Sequence, residues 1–239
     1  MYKKLTHSLL SVMALGAMAY AGGDFEEVKP LEVDVVEASK YAVGLKIGTL
    51  GAGLDISRSI TEKLNVRFNI NGATYSDTQC ESNIEYDYDL TLATAGLLLD
   101  YFPMDNGFRI SAGAYYNGNE FELTAQPQGG SYNINGITYG TAQIGSLAGL
   151  IEFDELAPYI GIGWGNTTKT KGWGFYADAG IMYQGEAQVT LTPTCGTAVT
   201  AAACTTIQHD VEVERLDLVN ELSDYKIYPV VSVGVTYTF

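Results

Sequence analysis

The chain is short of positive charge. Its 239 residues hold 13 Lys and Arg against 28 Asp and Glu, a formal charge of −15. Phosphate binding needs clustered cations, so nucleic acid is not an expected partner. Histidine is scarcer still, at two. His7 sits in an N-terminal apolar segment and His209 beside Asp210, which gives no basis for a Ser–His nucleophile. The three cysteines, Cys80, Cys195 and Cys204, lack metal-site spacing. The acidic residues lack calcium-loop spacing. No catalytic residue, metal or cofactor is therefore expected. Nor does any segment reach the roughly 20 apolar residues of a spanning helix.

Glycine and tyrosine, by contrast, are abundant, at 27 and 17. A sheet protein with tight bends and interfacial rings uses both. At the N-terminus Lys3 and Lys4 precede an apolar run from Leu9 to Ala19 and the small-x-small site Ala19-Tyr20-Ala21. That is the pattern of a secretory signal peptide over residues 1–21, cleaved after Ala21. Residues 22–40 read as an acidic periplasmic lead-in in which Leu31-Glu32-Val33-Asp34-Val35 alternates briefly. Export permits disulfides. Cys195 and Cys204 share one loop-like stretch and can pair across it, leaving Cys80 single; three unpaired thiols are the alternative.

Residues 41–239 divide into eight alternating segments. The last places Val231, Val233, Val235, Tyr237 and Phe239 on one face and Ser232, Gly234, Thr236 and Thr238 on the other. The first is Tyr41 to Gly48, followed by a tight hairpin and a second strand with Leu50, Ala52, Leu54 and Ile56 in phase. Leu64, Val66, Phe68 and Ile70 alternate with Asn65, Arg67, Asn69 and Asn71 in the third. A polar loop is expected from Ser76 to Glu85, then a fourth strand from Tyr86 to Phe102. Phe108 opens the fifth, which can run to Thr124. Gln126 to Ser146 is a long excursion, in which Asn135-Gly136 between alternating residues signals a hairpin. The sixth strand ends with Leu156, Pro158, Ile160, Ile162 and Trp164 outward. Trp173 to Leu191 is the seventh, and Tyr225 to Phe239 the eighth.

This is the pattern of an all-β fold: an eight-stranded antiparallel up-and-down transmembrane β-barrel. Trp173 and Tyr183 face one way ten positions apart, about 25 Å along the normal at the usual rise and tilt. An aromatic girdle is expected from Tyr41, Phe108, Trp164, Trp173, Tyr183 and Tyr237, with Phe102 and Phe239 also at strand ends. A water-soluble barrel has the reverse polarity, apolar inside and polar outside. The inward faces carry Lys46, Asp55, Arg67, Asp89, Arg109 and Asp178. In a lumen just wide enough for side chains, opposite charges form a network; a narrow ion path is the other reading. Val211 to Tyr225 reads as a short amphipathic helix, a lid on the barrel mouth or else a partner-binding element.

The terminal segment, with Gly234, Tyr237 and Phe239, is similar to the signal read by the outer-membrane assembly machinery. Combined with the signal peptide, it makes the chain resemble the small outer-membrane barrels typified by OmpA and OmpW, without a peptidoglycan-binding domain. Gly48 to Gly53 and Ala157 to Asn166 carry the same likeness. The resemblance implies an outer-membrane location in a Gram-negative bacterium. The partners it implies are outer-membrane lipid, lipopolysaccharide and the assembly machinery, with the chain a monomer. Function is implied only as structural or surface contact around a plugged interior. The alternative is a channel for small solutes or hydrophobic compounds.

Overall fold

The computed structural model describes residues 41–239 except 82, 105, 166, 167 and 198. The expected signal peptide and lead-in lie outside the described residues. Thirteen strands and one long helix are described: β1 Tyr41–Gly48, β2 Gly51–Thr61, β3 Leu64–Glu81, β4 Ile84–Tyr101, β5 Phe108–Asn117, β6 Glu120–Pro127, β7 Ser131–Ile134, β8 Ile137–Gly140, β9 Ile144–Glu152, β10 Leu156–Trp164, β11 Gly172–Tyr183, β12 Gln188–Cys195, α1 Ala201–Glu221 and β13 Ile227–Thr238. No described helix is long and apolar enough to cross a membrane.

Eight of these strands close on themselves. The antiparallel order is β1-β2-β3-β4-β5-β10-β11-β13 and back to β1. Alternation dictates the ring. β10 reads Leu-Ala-Pro-Tyr-Ile-Gly-Ile-Gly-Trp, and exposed and buried residues alternate along it without a break. A one-residue slip would turn Ile160, Ile162 and Trp164 inward and Tyr159 outward, so the pattern itself holds the register.

Above the ring the chain departs from eight simple strands. Most of the expected loop over Ser76–Glu85 is strand, to Glu81 and again from Ile84: β3 and β4 run 18 residues each and pair from Leu64↔Tyr101 to Glu81↔Ile84. Its Thr, Ser, Asp and Gln residues are those of a water-facing sheet, which composition alone does not separate from a loop. The fifth, sixth and seventh strands each break in two. β4 pairs β5 up to Thr94↔Asn117 and then β6 from Thr91↔Glu120; beyond it β6 pairs β9, and β9 pairs β12. The neighbours keep the ring's order, but among the described residues this extension does not close. β12 forms one margin. The other is upper β3, since β2 pairs with it only as far as Gly72.

Polar side chains stitch the shoulder between ring and extension. The Ala93 N–H donates to Asn119 Oδ1 at 3.0 Å, Asn117 Nδ2 to the Asp154 carbonyl at 3.3 Å, and Gln184 Nε2 to the Tyr225 carbonyl at 2.8 Å. Gly185 has φ +75°, and a Cβ there would fall 1.9 Å from Asp154 Oδ2, so the bend into β12 requires glycine.

The extension has its own core of Ile84, Ala125, Tyr132, Ile134, Tyr139, Ile144, Ile207 and Val211. Asn135 and Gly136 have φ +51° and +71°, as a two-residue turn between β7 and β8 demands. Tyr132 donates to the Ala125 carbonyl at 2.8 Å, and burial pushes its hydroxyl up to about 12. The helix starts at Ala201, ten residues before the expected Val211. Its Ala- and Thr-rich first turns have no apolar stripe, but Thr200 caps them by accepting from the Ala203 N–H at 3.3 Å. Ile207 and Val211, one turn apart, bury into the extension's core, and Arg215 Nη1 donates to the Val189 carbonyl of β12 at 3.4 Å. The expectation of a lid on the ring's mouth is thus corrected: α1 packs on the extension. A Cys195–Cys204 disulfide ties the end of β12 to its first turn, with Cα atoms 5.8 Å apart, and Cys80 is free and exposed.

Two expectations follow. Tyr139 donates to Asp210, and Asn135 Nδ2 adds a contact at 3.3 Å; the Tyr139 hydrogen bond leads in holding the Asp210 carboxyl below the ordinary aspartate range. A depressed carboxyl stabilises above its unfolded pKa of about 3.9 and loses that contribution as pH falls through the folded value. Hydrogen exchange at Ile207–Val211 should therefore accelerate below about pH 4 while ring amides stay protected, and Asp210→Asn should remove the dependence. The disulfide closes a short loop worth roughly 2–3 kcal/mol at most. Cys204→Ser should loosen α1 and leave ring assembly intact on a heat-modifiability gel; failure to assemble would contradict this.

Candidate functional site

The interior of the ring is where the chain concentrates its chemistry. On β3 the inward residues are Asn65, Arg67, Asn69 and Asn71, all buried. Arg67 is central. Its Nη1 donates to Asp178 Oδ2 at 2.8 Å and lies 3.6 Å from Asp55 Oδ2. Its Nε lies 3.0 Å from Asp100 Oδ2. Arg109 Nη2 donates to Asp178 Oδ1 at 2.7 Å, and Arg109 Nη1 to the Gly165 carbonyl. Lys46 Nζ lies 3.0 Å from Asp55 Oδ1, and the Tyr176 hydroxyl donates to Asp55 Oδ2 at 2.6 Å. Three cations thus meet three carboxylates, and the network is neutral. A buried charge without a partner is far costlier than one held by ion pairs and hydrogen bonds.

Inward glycines make room for this filling. A Cβ at Gly161 would fall 2.2 Å from the Tyr159 hydroxyl, and one at Gly163 would fall 2.6 Å from Asp178 Oδ1. Gly234 does the same for Tyr176, at 2.5 Å from its ring. Tyr159, Tyr176 and Asp178 therefore rest over glycine on their own or the adjacent strand. Above the charges lies an apolar layer of Leu50, Leu98, Tyr115, Tyr159, Met182 and Val230, with Tyr115 and Tyr159 edge-to-face at 5.4 Å.

Of the six expected interior charges, Lys46, Asp55, Arg67, Arg109 and Asp178 lie in this network and Asp89 does not. Asp89 is exposed on the extension's outer face, where Ser76 donates to it. Thr94, Leu98 and Asp100 point inward on β4, so odd-numbered Asp89 points out. Asp100 is the residue the sequence reading missed. The run Leu97-Leu98-Leu99 hides the alternation, although Leu97, Leu99 and Tyr101 share one exposed face.

Tyr41, Trp164, Trp173 and Tyr183 of the expected girdle stand exposed; Phe108 and Tyr237 are half-buried. Phe102 departs from expectation. It is buried, on the inward phase of Leu98 and Asp100, instead of facing outward. Trp173 meets Tyr237 at 5.3 Å, and Tyr237 meets Phe239 at 5.2 Å. His209 is exposed on α1. Among the described residues no group of three or more potential ligands is placed to hold a metal ion.

The polarity of the sheet inverts along β4. Outward residues of its lower half are Leu97, Leu99 and Tyr101, and those of its upper half are Glu85, Asp87 and Asp89. On neighbouring strands Glu122 faces Asp89, and Glu152 faces Glu120. Like charges directly opposite are tolerable only in water.

No protein-family model and no curated protein matches the chain. Two solved structures are similar over almost their whole length. The crystal structure of Acinetobacter baumannii CarO2 matches at 24% identity and a TM-score of 0.53, covering 85% of this chain and 100% of that one. That of Acinetobacter baumannii CarO matches at 22% and 0.54, covering 84% and 98%. The chain shares their fold.

Replacing the central cation tests the network. Arg67→Met leaves three buried carboxylates facing Lys46 and Arg109 alone, and should cost about 3–5 kcal/mol. A denaturant titration would read this as a lower midpoint. Arg67→Met that unfolds with the native chain would show the ion pairs to be dispensable.

Proposed function

We propose that the chain is an outer-membrane β-barrel protein of a Gram-negative bacterium, akin to the small barrels of the OmpA and OmpW kind. The ring spans the bilayer, and the extension stands outside the cell. One observation carries the reading: around a closed ring, the outward rows are apolar and the inward rows hold a buried, neutral ion network. Leu45, Ile47, Ile56, Ile162, Phe175 and Val233 are all more than half exposed. In water such a surface would be a continuous apolar patch beyond what a monomeric protein tolerates; in lipid it is the required one. The acidic outer face of the extension fits water and not lipid, which sets the upper limit of the span.

The role within that location is structural or surface contact. Arg67, Arg109 and the carboxylates around them fill the cross-section, with Leu98, Tyr115 and Tyr159 above them. Partners are outer-membrane lipid, lipopolysaccharide and the assembly machinery, the last reading Gly234, Tyr237 and Phe239.

Conductance is the test. The purified chain in planar bilayers should show no large, steady openings. Sustained single-channel conductance would overturn the filled-lumen reading and support the passage of small solutes.

A further inference from the structure

Along the outward row of β2 stand Leu54, Ile56, Arg58 and Ile60. Ile56 and Ile60, on either side of Arg58, are each 52% exposed. Among the described residues of the ring below the extension, with β3 taken to Gly72 and β4 from Thr94, Arg58 is the only charge on an outward row. Its partner across the β1–β2 ladder is Tyr41, and the guanidinium carbon lies 5.5 Å over that ring. It forms no hydrogen bond or ion pair among the described residues. A cation on a lipid-facing row is unfavourable unless it reaches water or an anion. A planar guanidinium is matched in shape and charge by a phosphate.

The surroundings continue the pattern. The Phe239 N–H donates to the Tyr41 carbonyl at 3.1 Å, and Phe239, Tyr237 and Trp173 form a line of edge-to-face rings. Exposed Lys171 lies just before Trp173, and exposed Lys63 lies in the β2–β3 turn beside exposed Glu62. At the other end of the molecule Arg215 and Lys226 are occupied by Glu212 and Glu186.

Further up the same strands, Leu45 of β1 stands between two apolar grooves. One, of about 370 Å³, is lined by Leu45, Ala52, Leu54, Ile70 and Gly72. The other, of about 400 Å³, is lined by Leu45, Ile47, Phe175, Val233 and Val235. Leu45 is paired with Leu54, four residues from Arg58 on β2, or about 13 Å along the strand. That is within the length of one acyl chain. A cation at the interface, an aromatic neighbour and two grooves in line above it have the layout of a phospholipid: one headgroup and two tails.

We propose that this face of the ring is a binding site for one anionic glycerophospholipid. The phosphate lies against Arg58 beside Tyr41, and the acyl chains run along the two sides of Leu45. The site rests on the membrane-spanning reading given above. It places the anionic lipid in the leaflet at the turn end, opposite the acidic extension.

The full chain in nanodiscs of dioleoylphosphatidylcholine carrying a minority of dioleoylphosphatidylglycerol tests this, with retained lipids counted by native mass spectrometry. One retained phosphatidylglycerol should be favoured about five-fold over phosphatidylcholine, equivalent to about 1 kcal/mol for a cation at an anionic surface. Arg58→Gln should bring the ratio to parity, and Arg58→Lys should keep most of it. Parity in the native chain overturns the site without any variant, and so does an unchanged preference in Arg58→Gln. Vesicle flotation separates the two readings. A chain that floats but shows parity defeats the lipid site alone; a chain that does not float defeats the membrane reading with it.

Discussion

The narrow interior of a closed eight-stranded ring is the constraint from which most of the molecule follows. It has room for side chains and little for bulk water, so every charge inside must find its partner among the other strands. Arg67 meets that demand by reaching Asp55, Asp100 and Asp178, which come from β2, β4 and β11. One guanidinium therefore ties strands from three parts of the ring. Arg109 and Lys46 complete the charge balance, and the inward glycines exist to let these long side chains lie flat. The same demand explains the Asn and Ser residues on inward positions, which bond without adding charge: Asn71 Nδ2 donates to Asn69 Oδ1 and Thr94 Oγ1, each at 2.9 Å.

The ring was legible in the sequence because its alternation is uninterrupted. β10 and β13 could be placed residue by residue, and the inward Arg67 and Asp178 followed from period two alone. Legibility failed where that period is hidden. Three consecutive leucines at 97–99 masked the phase of β4 and put Asp89 where Asp100 belongs. Upper β3 reads as a loop in the sequence because both its faces are wet, which removes the hydrophobic half of the pattern. The start of α1 was missed for a different reason. Its first two turns are stabilised by the Thr200 cap and by a covalent tie to β12, and neither leaves a hydrophobic stripe.

The strands carry two opposite polarities. In the ring, apolar residues face outward and polar ones inward; in the extension the arrangement is the reverse, with Glu and Asp outside and Ile84, Ala125 and Ile144 inside. β4 carries both arrangements without a change of phase. The side chains change, not the geometry. A separate cap domain is unnecessary, because strands that outgrow the ring and bend at Gly118-Asn119 and Gln184-Gly185 build a second core from the same ladders.

Upper β3 draws a price from this economy. From Ala73 to Cys80 it pairs with β4 on one side and, among the described residues, has no strand on the other, since its pairing with β2 stops at Gly72. Bare N–H and C=O groups along such a margin are a template for another β-strand. α1, held at the β12 margin, does not cover it. What guards the segment is composition: Thr74, Ser76, Asp77, Thr78 and Gln79 give an incoming strand little apolar surface to bury and one charge to desolvate. Replacing these residues with valine or isoleucine would turn a quiet margin into a seed for aggregation, in a region that no measure of ring stability would flag.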